Sequence, residues 1–255
     1  PDDSVTKKTA GSKRKTAGVP RSKASRPARS RTARDVGFPT SDLDALQETL
    51  RKLPRELPNV VRLHRAVSWL RCAAERQDQH DLRFMALWVA FNACYAGEED
   101  DRSDRSLRER QRFRHFLERL VEHDRDRRLY DCLWKEFAGP VRQLVDSRYL
   151  FVPFWDSQRT GSGNWEHRLH LSGLEYRRLM RQPTAVVEIL CIVLDRLYVL
   201  RNQVFHGGAT WESRVNRQQV RSAAEIMAKI VPIVVDIMYA EKDLDWGRIA
   251  YPVVD

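Results

Sequence analysis

The fold is decided by residues 185–200, AVVEILCIVLDRLYVL, which lead directly into RNQVFHGG at 201–208. The first stretch is apolar on nearly every side of a helix, so it predicts a central, buried helix rather than a surface one. A Gln-Pro pair before it provides a start, and the Gly-Gly pair after it provides a stop. We therefore expect one helix from Pro183 to His206, with His206 in its last turn.

Most of the remaining chain also shows helical spacing of apolar residues and almost no strand-like alternation, which predicts an all-α fold. Further helices are expected at 43–53, 60–76, 81–97, 105–128, 126–137 and 215–241, the last kinked at Pro232. Gly139-Pro140 is expected to break the chain before a short helical segment at 141–146. Residues 149–155 predict an extended segment, and residues 157–164 a flexible loop.

The positive charge of the chain is concentrated at its N-terminus. The net charge is +10, and residues 1–34 contribute 11 Lys and Arg against 2 Asp and Glu. This composition predicts a disordered basic tail over residues 1–37, followed by one helical domain over residues 38–255. Such a tail holds RNA or DNA through phosphate contacts without reading sequence. A solubilising leader or a linker explains the same composition equally well.

The cellular compartment is predicted from the absence of apolar targeting or membrane-spanning segments and from the pattern of cysteines. Residues 1–36 contain no apolar segment, and no uninterrupted apolar run reaches the length of a membrane span. The cysteines are far apart and lie mostly within apolar helical patterns: Cys72, Cys94, Cys132 and Cys191. That usage is typical of small core residues in a reducing compartment rather than of zinc ligands or disulfides. We expect a soluble, cytoplasmic protein without membrane association.

Arg201 and His206 form the candidate catalytic pair. A guanidinium neutralises phosphate oxygens and an imidazole moves a proton near neutral pH, so the two suffice to break a phosphodiester without a metal. Spacing alone decides little, because 36 Arg and 7 His give about one Arg-x4-His pair by chance and the chain has two. The second pair, Arg110 and His115, lies in a charge-dense stretch and is interpreted as a solvated helix face.

Helix geometry constrains how the candidate pair can act. On an ideal helix, Arg201 and His206 point about 140° apart and are about 7.5 Å apart along the axis. Asn202 and His206 share a face. Either the Arg201 side chain reaches around the helix, or a second copy of the chain completes the site. Asn202 would orient His206 or the phosphate. The alternative is a surface Arg, a polar helix end and a capping His with no chemistry.

A second informative segment is the helix predicted at 81–97. Trp88, Phe91, Asn92 and Tyr95 fall on one of its faces, and the three aromatic residues are expected to be core. A buried amide requires hydrogen-bond partners, so Asn92 is expected to fix the register of this helix against its neighbours. Support of the catalytic site is the second interpretation of Asn92.

These two segments together resemble the HEPN superfamily, in particular its Apea-like branch. The matching motifs are W-x-A-F-N-x-x-Y at 88–95 and L-Y-x-L-R-N-x-x-F-H-G-G at 197–208, and the resemblance extends over roughly residues 80–240. It implies a helical bundle that usually dimerises. In such a dimer the Arg-polar-x3-His motifs of two protomers face each other across a cleft.

The resemblance also implies an activity. Many HEPN proteins are metal-independent endoribonucleases of toxin–antitoxin or phage-defence systems, and they leave a 2′,3′-cyclic phosphate and a 5′-hydroxyl. By this resemblance Arg201, Asn202 and His206 are the catalytic residues, RNA is the substrate, no cofactor or metal is needed, and an antitoxin or defence protein is a partner. The alternative is a non-catalytic HEPN module that binds RNA or a partner protein within a larger assembly. Some HEPN toxins carry a modified Tyr two residues after the His, where this chain has Gly208.

Residues 149–155 and the Gly161-Ser162-Gly163 loop are a candidate cover for such a cleft, with aromatic rings able to stack a base. Arg159 and Trp165 would be further contacts. A buried edge segment beside a loop is the simpler interpretation.

Overall fold

The chain folds into a bundle of helices. The computed structural model describes residues 40–54, 57–96 and 105–253, which form ten α-helices and no β-strand. The helices are α1 Thr40–Arg51, α2 Pro58–Ala74, α3 His80–Tyr95, α4 Arg105–His123, α5 Arg128–Asp131, α6 Ala138–Val145, α7 Val152–Thr160, α8 Trp165–Leu179, α9 Val186–Phe205 and α10 Arg217–Ala240. A π-helical turn, Cys132–Glu136, follows α5, and a 3-10 turn, Arg148–Leu150, precedes α7. The all-α prediction is confirmed.

Two long helices, α9 and α10, form the centre of the core. α10 is buried along most of its length and packs against α3 and α2, continuing through Pro232 without interruption. α9 packs against α3, α4, α6, α8 and α10, and nine of its residues are buried. The apolar sequence of α9 therefore reflects enclosure on most of its sides.

The boundaries of α9 agree closely with the sequence prediction. The helix begins at Val186 and ends at Phe205, with His206 as its C-terminal cap. Three residues at the predicted start, from Pro183 to Ala185, form a turn instead. The cap is followed by Gly207, a glycine with positive φ, which is a common way for a helix to end.

A buried arginine lies in the middle of α9. Arg196 donates from Nη2 to Ser172 Oγ of α8 at 2.8 Å and from Nε to the Val145 carbonyl of α6 at 3.4 Å. Its guanidinium also lies 4.6 Å from the centre of the Phe151 ring. Burial lowers the pKa of Arg196 to about 10, so the side chain remains charged at neutral pH. These contacts hold α6, α8 and the start of α7 against α9.

A second buried arginine joins the ends of three helices. Arg62 of α2 donates from Nη1 to the carbonyls of Cys94 at 3.2 Å and Ala96 at 2.6 Å. Its Nη2 donates to the carbonyls of Gly247 at 2.9 Å and Arg248 at 2.7 Å. These oxygens lie at the C-terminal end of α3 and in the segment after α10, where no helical partner is available. Arg62 therefore fixes the segment after α10 against α2 and α3.

The extended segment predicted at 149–155 is wrong. The chain forms the 3-10 turn and then enters α7 at Val152, with Pro153 in the first turn where a missing N–H is tolerated. The aromatic side chains that suggested a strand instead form a ring cluster, in which Phe154 contacts Tyr149, Trp155 and Trp165 at centroid distances of 5.6, 5.1 and 5.0 Å. The predicted loop at 157–164 is correspondingly reduced to 161–164.

Two further helical features differ from the prediction. α8 lies in a segment with no helical prediction, because its buried stripe is narrow: Gly173, Tyr176 and Leu179. Gly139-Pro140 does not break the chain before a helix but lies in the first turn of α6. A proline is tolerated there because the first-turn N–H groups have no partner within the helix.

The cysteines fill space in the core, as predicted. All four are free thiols, with Cys94 and Cys132 buried and Cys72 and Cys191 half-buried. Burial raises the pKa of Cys94 and Cys132 to about 12, which keeps both thiols protonated at neutral pH.

The predicted basic tail over residues 1–37, with its boundary to the helical domain, lies outside the described residues. Within the ranges that the structure describes, no helix combines the length and the apolarity needed to cross a bilayer.

Replacing Arg62 by Met should destabilise the protein strongly. The variant keeps much of the apolar stem but leaves four backbone carbonyls, one of them in a buried hydrogen bond, without their donor. We expect Arg62→Met to lower the free energy of unfolding by about 2–4 kcal/mol in urea titrations. The exposed Arg51→Met is the matched control and should change it by less than about 0.5 kcal/mol. Equal effects of the two substitutions would contradict this role of Arg62.

Candidate functional site

The last turn of α9 emerges from the core and carries the candidate site. Leu200 is buried, Arg201, Asn202 and Phe205 are half-buried, and His206 is exposed. The His206 N–H donates to the Asn202 carbonyl at 3.0 Å, so the backbone is still helical at this point. The candidate residues therefore lie where a buried helix reaches the surface.

The guanidinium of Arg201 is held by two residues of its own helix, Asn202 and Phe205. Its Nη1 donates to Asn202 Oδ1 at 2.9 Å, and its guanidinium carbon lies 4.8 Å from the centre of the Phe205 ring. Asn202 and His206, four residues apart, share a helix face. Among the described residues no hydrogen bond joins Arg201 to His206, so the two geometries expected from sequence both stay open.

The electrostatic environment of Arg201 leaves part of its binding capacity unused. Its Nε is buried and has no hydrogen-bond partner among the described residues. The partner of its Nη1 is a neutral amide, so Asn202 positions the guanidinium without neutralising its charge. A guanidinium in this state retains donors and a full positive charge for an anionic ligand.

The His206 ring is open to solvent, and within the described residues its side chain makes no hydrogen bond. The side chain of Asn202 bonds to Arg201 rather than to His206. Asn202 thus orients the guanidinium, a role that its spacing alone did not indicate. An unencumbered imidazole beside a positioned guanidinium can exchange protons with a bound ligand.

The two positions after His206 favour glycine for different structural reasons. Gly207 has a φ of +71°, a left-handed conformation that favours glycine. At Gly208 an added Cβ would lie 3.2 Å from the Gln203 carbonyl oxygen, which is closer than an ordinary contact. The Gly-Gly pair therefore shapes the end of α9 as well as stopping it.

Gln203 is a site neighbour that the sequence analysis missed. Its Nε2 donates to the Tyr149 carbonyl at 2.6 Å, and Trp155 Nε1 donates to the same oxygen at 2.8 Å. The partner lies 54 residues away in the chain, so no local pattern could have indicated this contact. It attaches the last turn of α9 to the 3-10 turn before α7.

The two motifs that resemble HEPN proteins lie on neighbouring helices. The rings of Trp88 and Tyr198 are 6.2 Å apart, which joins α3 to α9 one turn before Arg201. Trp88 and Phe91 are core residues, as predicted. Asn92 is half-buried rather than buried, and within the described residues its side chain makes no hydrogen bond to Arg201, Asn202 or His206. The structure places it on a neighbouring helix, not among the candidate catalytic groups.

The remaining histidines give no alternative site of the same kind. Arg110 and His115, the second Arg-x4-His pair, are both exposed on α4, and His115 Nδ1 lies 3.9 Å from a Glu118 carboxylate. This agrees with a solvated helix face. Within the described parts of the chain, no three His, Cys, Asp or Glu side chains are grouped closely enough to hold a metal ion.

The loop after His206 is attached at its far end to the first turn of α3. Arg217, at the start of α10, forms an ion pair with the buried Asp81 carboxylate at 2.7 Å. A cleft of about 420 Å³ lies beside this pair, lined by Asp78, His80, Glu212, Arg214 and Arg217. Glu212 has a φ of +54°, a strained conformation for a residue with a side chain. The ion pair therefore fixes the far end of the loop.

Comparisons with known proteins add no assignment. No protein-family model matches the chain, and no curated protein or solved structure matches it significantly. The case for a function therefore depends on the residues and geometry described above.

Gly207 can be tested against another glycine of the same chain. We expect Gly207→Ala to lower the free energy of unfolding by about 1 kcal/mol, because alanine must adopt the left-handed conformation. Gly139→Ala is the control, since that residue lies in the first turn of α6 with open space around an added Cβ. It should be neutral or slightly stabilising in urea titrations. The opposite order would contradict the assigned conformation.

Acid should weaken the attachment of the loop through His80. Burial, followed by the nearby Arg221 and Arg217, lowers the pKa of His80 below its ordinary value of 6.5. Between these two pKa values the unfolded chain binds a proton that the folded chain does not, so His80 lowers stability as the pH falls below about 6.5. We expect the melting temperature of wild type to fall more between pH 7.5 and 5.5 than that of His80→Gln. Equal falls in the two proteins would refute this contribution.

Proposed function

We propose that this protein is a metal-independent endoribonuclease of the HEPN type, acting in phage defence or a toxin–antitoxin system. The observation that supports it best is the last turn of α9, where an exposed His206 lies five residues after Arg201, whose guanidinium is positioned by Asn202 and Phe205. Cleavage of a phosphodiester without a metal uses both a group that carries protons and a fixed positive charge. The resemblance of the two helical motifs to HEPN proteins points to the same chemistry.

In this proposal His206 removes the proton of the ribose 2′-hydroxyl, and the 2′-oxygen attacks the adjacent phosphorus. The bond from phosphorus to the 5′-oxygen breaks, and the leaving oxygen takes a proton from an imidazolium. Arg201 stabilises the negative charge that builds on the phosphoryl oxygens. The products are a 2′,3′-cyclic phosphate and a 5′-hydroxyl, and no water or metal enters the step.

The two proton transfers require two proton carriers, and one α9 supplies a single histidine. We propose that a second copy of the chain supplies the other, with the ends of two α9 helices facing each other. Tyr198, Asn202 and His206 fall on the open face of α9, and Tyr198 is 49% exposed. An open face of this kind at the end of α9 supports a homodimer.

The competing proposal is a HEPN module that binds RNA or a protein partner without cleaving it. Its support is that Arg201 is half-buried and already bonded within its own helix. In that case the Arg201–Asn202 contact stabilises the helix end, and His206 is a solvated cap. Both proposals use the same surface, and activity distinguishes them.

The deciding experiment compares His206→Ala with His115→Ala, which removes the histidine of the second Arg-x4-His pair. Each protein is incubated in EDTA with a mixed-sequence single-stranded RNA, and the new ends are identified chemically. We expect wild type and His115→Ala to leave cyclic phosphates and 5′-hydroxyls. His206→Ala should be slower by roughly 100-fold or more, because it removes a general acid–base catalyst.

Circular dichroism and the mass in solution serve as controls that both variants are folded and have the wild-type oligomeric state. Full cleavage by His206→Ala, or cleavage only after a divalent cation is added, would refute the proposed mechanism. Folded, dimeric wild type that leaves the RNA intact would favour the binding module.

A further inference from the structure

A polar cleft lies beside the last turn of α9. Its volume is about 600 Å³, and Arg142, Gln143, Arg148, Tyr149 and Gln219 contribute to its lining. These side chains come from α6, from the 3-10 turn that follows it and from the first turns of α10. Guanidinium, amide and phenol groups of this kind suit a polar, charged ligand rather than an apolar one.

The cleft presents a positive charge that its own residues do not neutralise. Arg142 lies 3.6 Å from the Asp146 carboxylate, but both side chains are largely exposed and the pair is weak. Arg148 has no carboxylate partner within the described residues. It donates instead to the Tyr149 hydroxyl at 2.8 Å. A phosphate entering the cleft would therefore meet an unpaired guanidinium.

Tyr149 forms a fixed aromatic surface at the edge of this cleft. The residue is 39% exposed, and the Arg148 guanidinium carbon lies 4.8 Å from the centre of its ring. The Phe154 ring lies nearly perpendicular to the Tyr149 ring, with 5.6 Å between the ring centres, and Trp155 Nε1 donates a hydrogen bond to the Tyr149 carbonyl oxygen. Aromatic rings and guanidinium planes held in this way are the surfaces on which unpaired bases stack.

The aromatic surface is attached directly to the helix that carries the candidate catalytic residues. Gln203 Nε2 donates to the Tyr149 carbonyl at 2.6 Å. Gln203 precedes His206 by three residues, which is about 4.5 Å along the helix axis. A nucleic acid strand lying in the cleft therefore passes close to the end of α9.

We propose that this cleft is a subsite for single-stranded RNA, in which Arg148 and Arg142 bind a phosphate and Tyr149 stacks an unpaired base. This subsite rests on the proposed nuclease function. It would hold the part of the RNA strand that adjoins the phosphodiester cleaved at the end of α9. A duplex is disfavoured because its bases are stacked on one another and offer no free face. A protein partner is disfavoured because Tyr149 is the one large apolar side chain among the described residues that line the cleft, and the others are charged, amide-bearing or small.

The test uses the full chain with His206→Ala, so that bound RNA stays intact. Affinity for a fluorescein-labelled single-stranded 12-mer is measured by anisotropy at about 200 mM salt, which suppresses non-specific binding through the basic N-terminal segment. Adding Tyr149→Ala or Arg148→Gln should raise Kd by roughly tenfold each. Tyr149→Phe keeps the ring and should stay within about twofold of the parent protein.

Two exposed residues outside the cleft are the matched controls. Tyr251→Ala removes a tyrosine that is 79% exposed, and Arg168→Gln removes an exposed arginine of α8. Both should leave Kd unchanged. Duplex RNA of the same sequence should bind all the variants alike.

The outcomes separate the subsite from the nuclease. Unchanged Kd in Tyr149→Ala and Arg148→Gln, or no measurable binding of single-stranded RNA by the parent protein, overturns the subsite even if wild type cleaves RNA. Weaker binding in both variants, with Tyr149→Phe and the controls unchanged, supports the subsite. The same pattern together with an inactive wild type keeps the subsite and rejects the nuclease.

Discussion

The burial of α9 is the constraint on which the rest of the structure depends. α9 is buried against its neighbouring helices along most of its length, and its open face, with Tyr198, Asn202 and His206, leads to the end of the helix where a ligand can reach it. Enclosure also forces Arg196 to find partners inside the protein, and those partners fix α6 and α8 around it. The position of the 3-10 turn, and of the cleft beside it, follows from that arrangement because the turn leads directly from α6.

Three arginines in this protein show how the same side chain serves structure or chemistry. Arg62 and Arg196 are buried, and their donors are spent mainly on backbone carbonyls at helix ends. Such groups are poor candidates for catalysis because a ligand cannot reach them. Arg201 differs in being half-buried, with the neutral amide of Asn202 as its hydrogen-bond partner. A structural arginine is therefore recognised by how many of its guanidinium N–H groups already donate hydrogen bonds within the protein, and not by its spacing to a histidine.

Sequence predicts most of this fold because a buried helix face must be apolar at helical spacing, and α9 and α10 have strong patterns of this kind. The prediction fails at 149–155, where aromatic residues serve a ring cluster with Trp165 rather than a sheet. At the candidate site, helix geometry alone fixes that Asn202 and His206 share a face. The Arg201–Asn202 and Gln203–Tyr149 bonds depend on side-chain rotamers and on distant segments, which periodicity does not contain.

The transition along α9 from a buried body to a half-exposed last turn has a consequence for how the molecule fluctuates. Backbone amides in the buried turns of α9 exchange with solvent mainly in openings that disrupt the core, whereas those of the last turn open locally and more often. The body of α9 is therefore more rigid than its last turn. Local opening of the last turn would move His206 without unfolding the bundle that supports it.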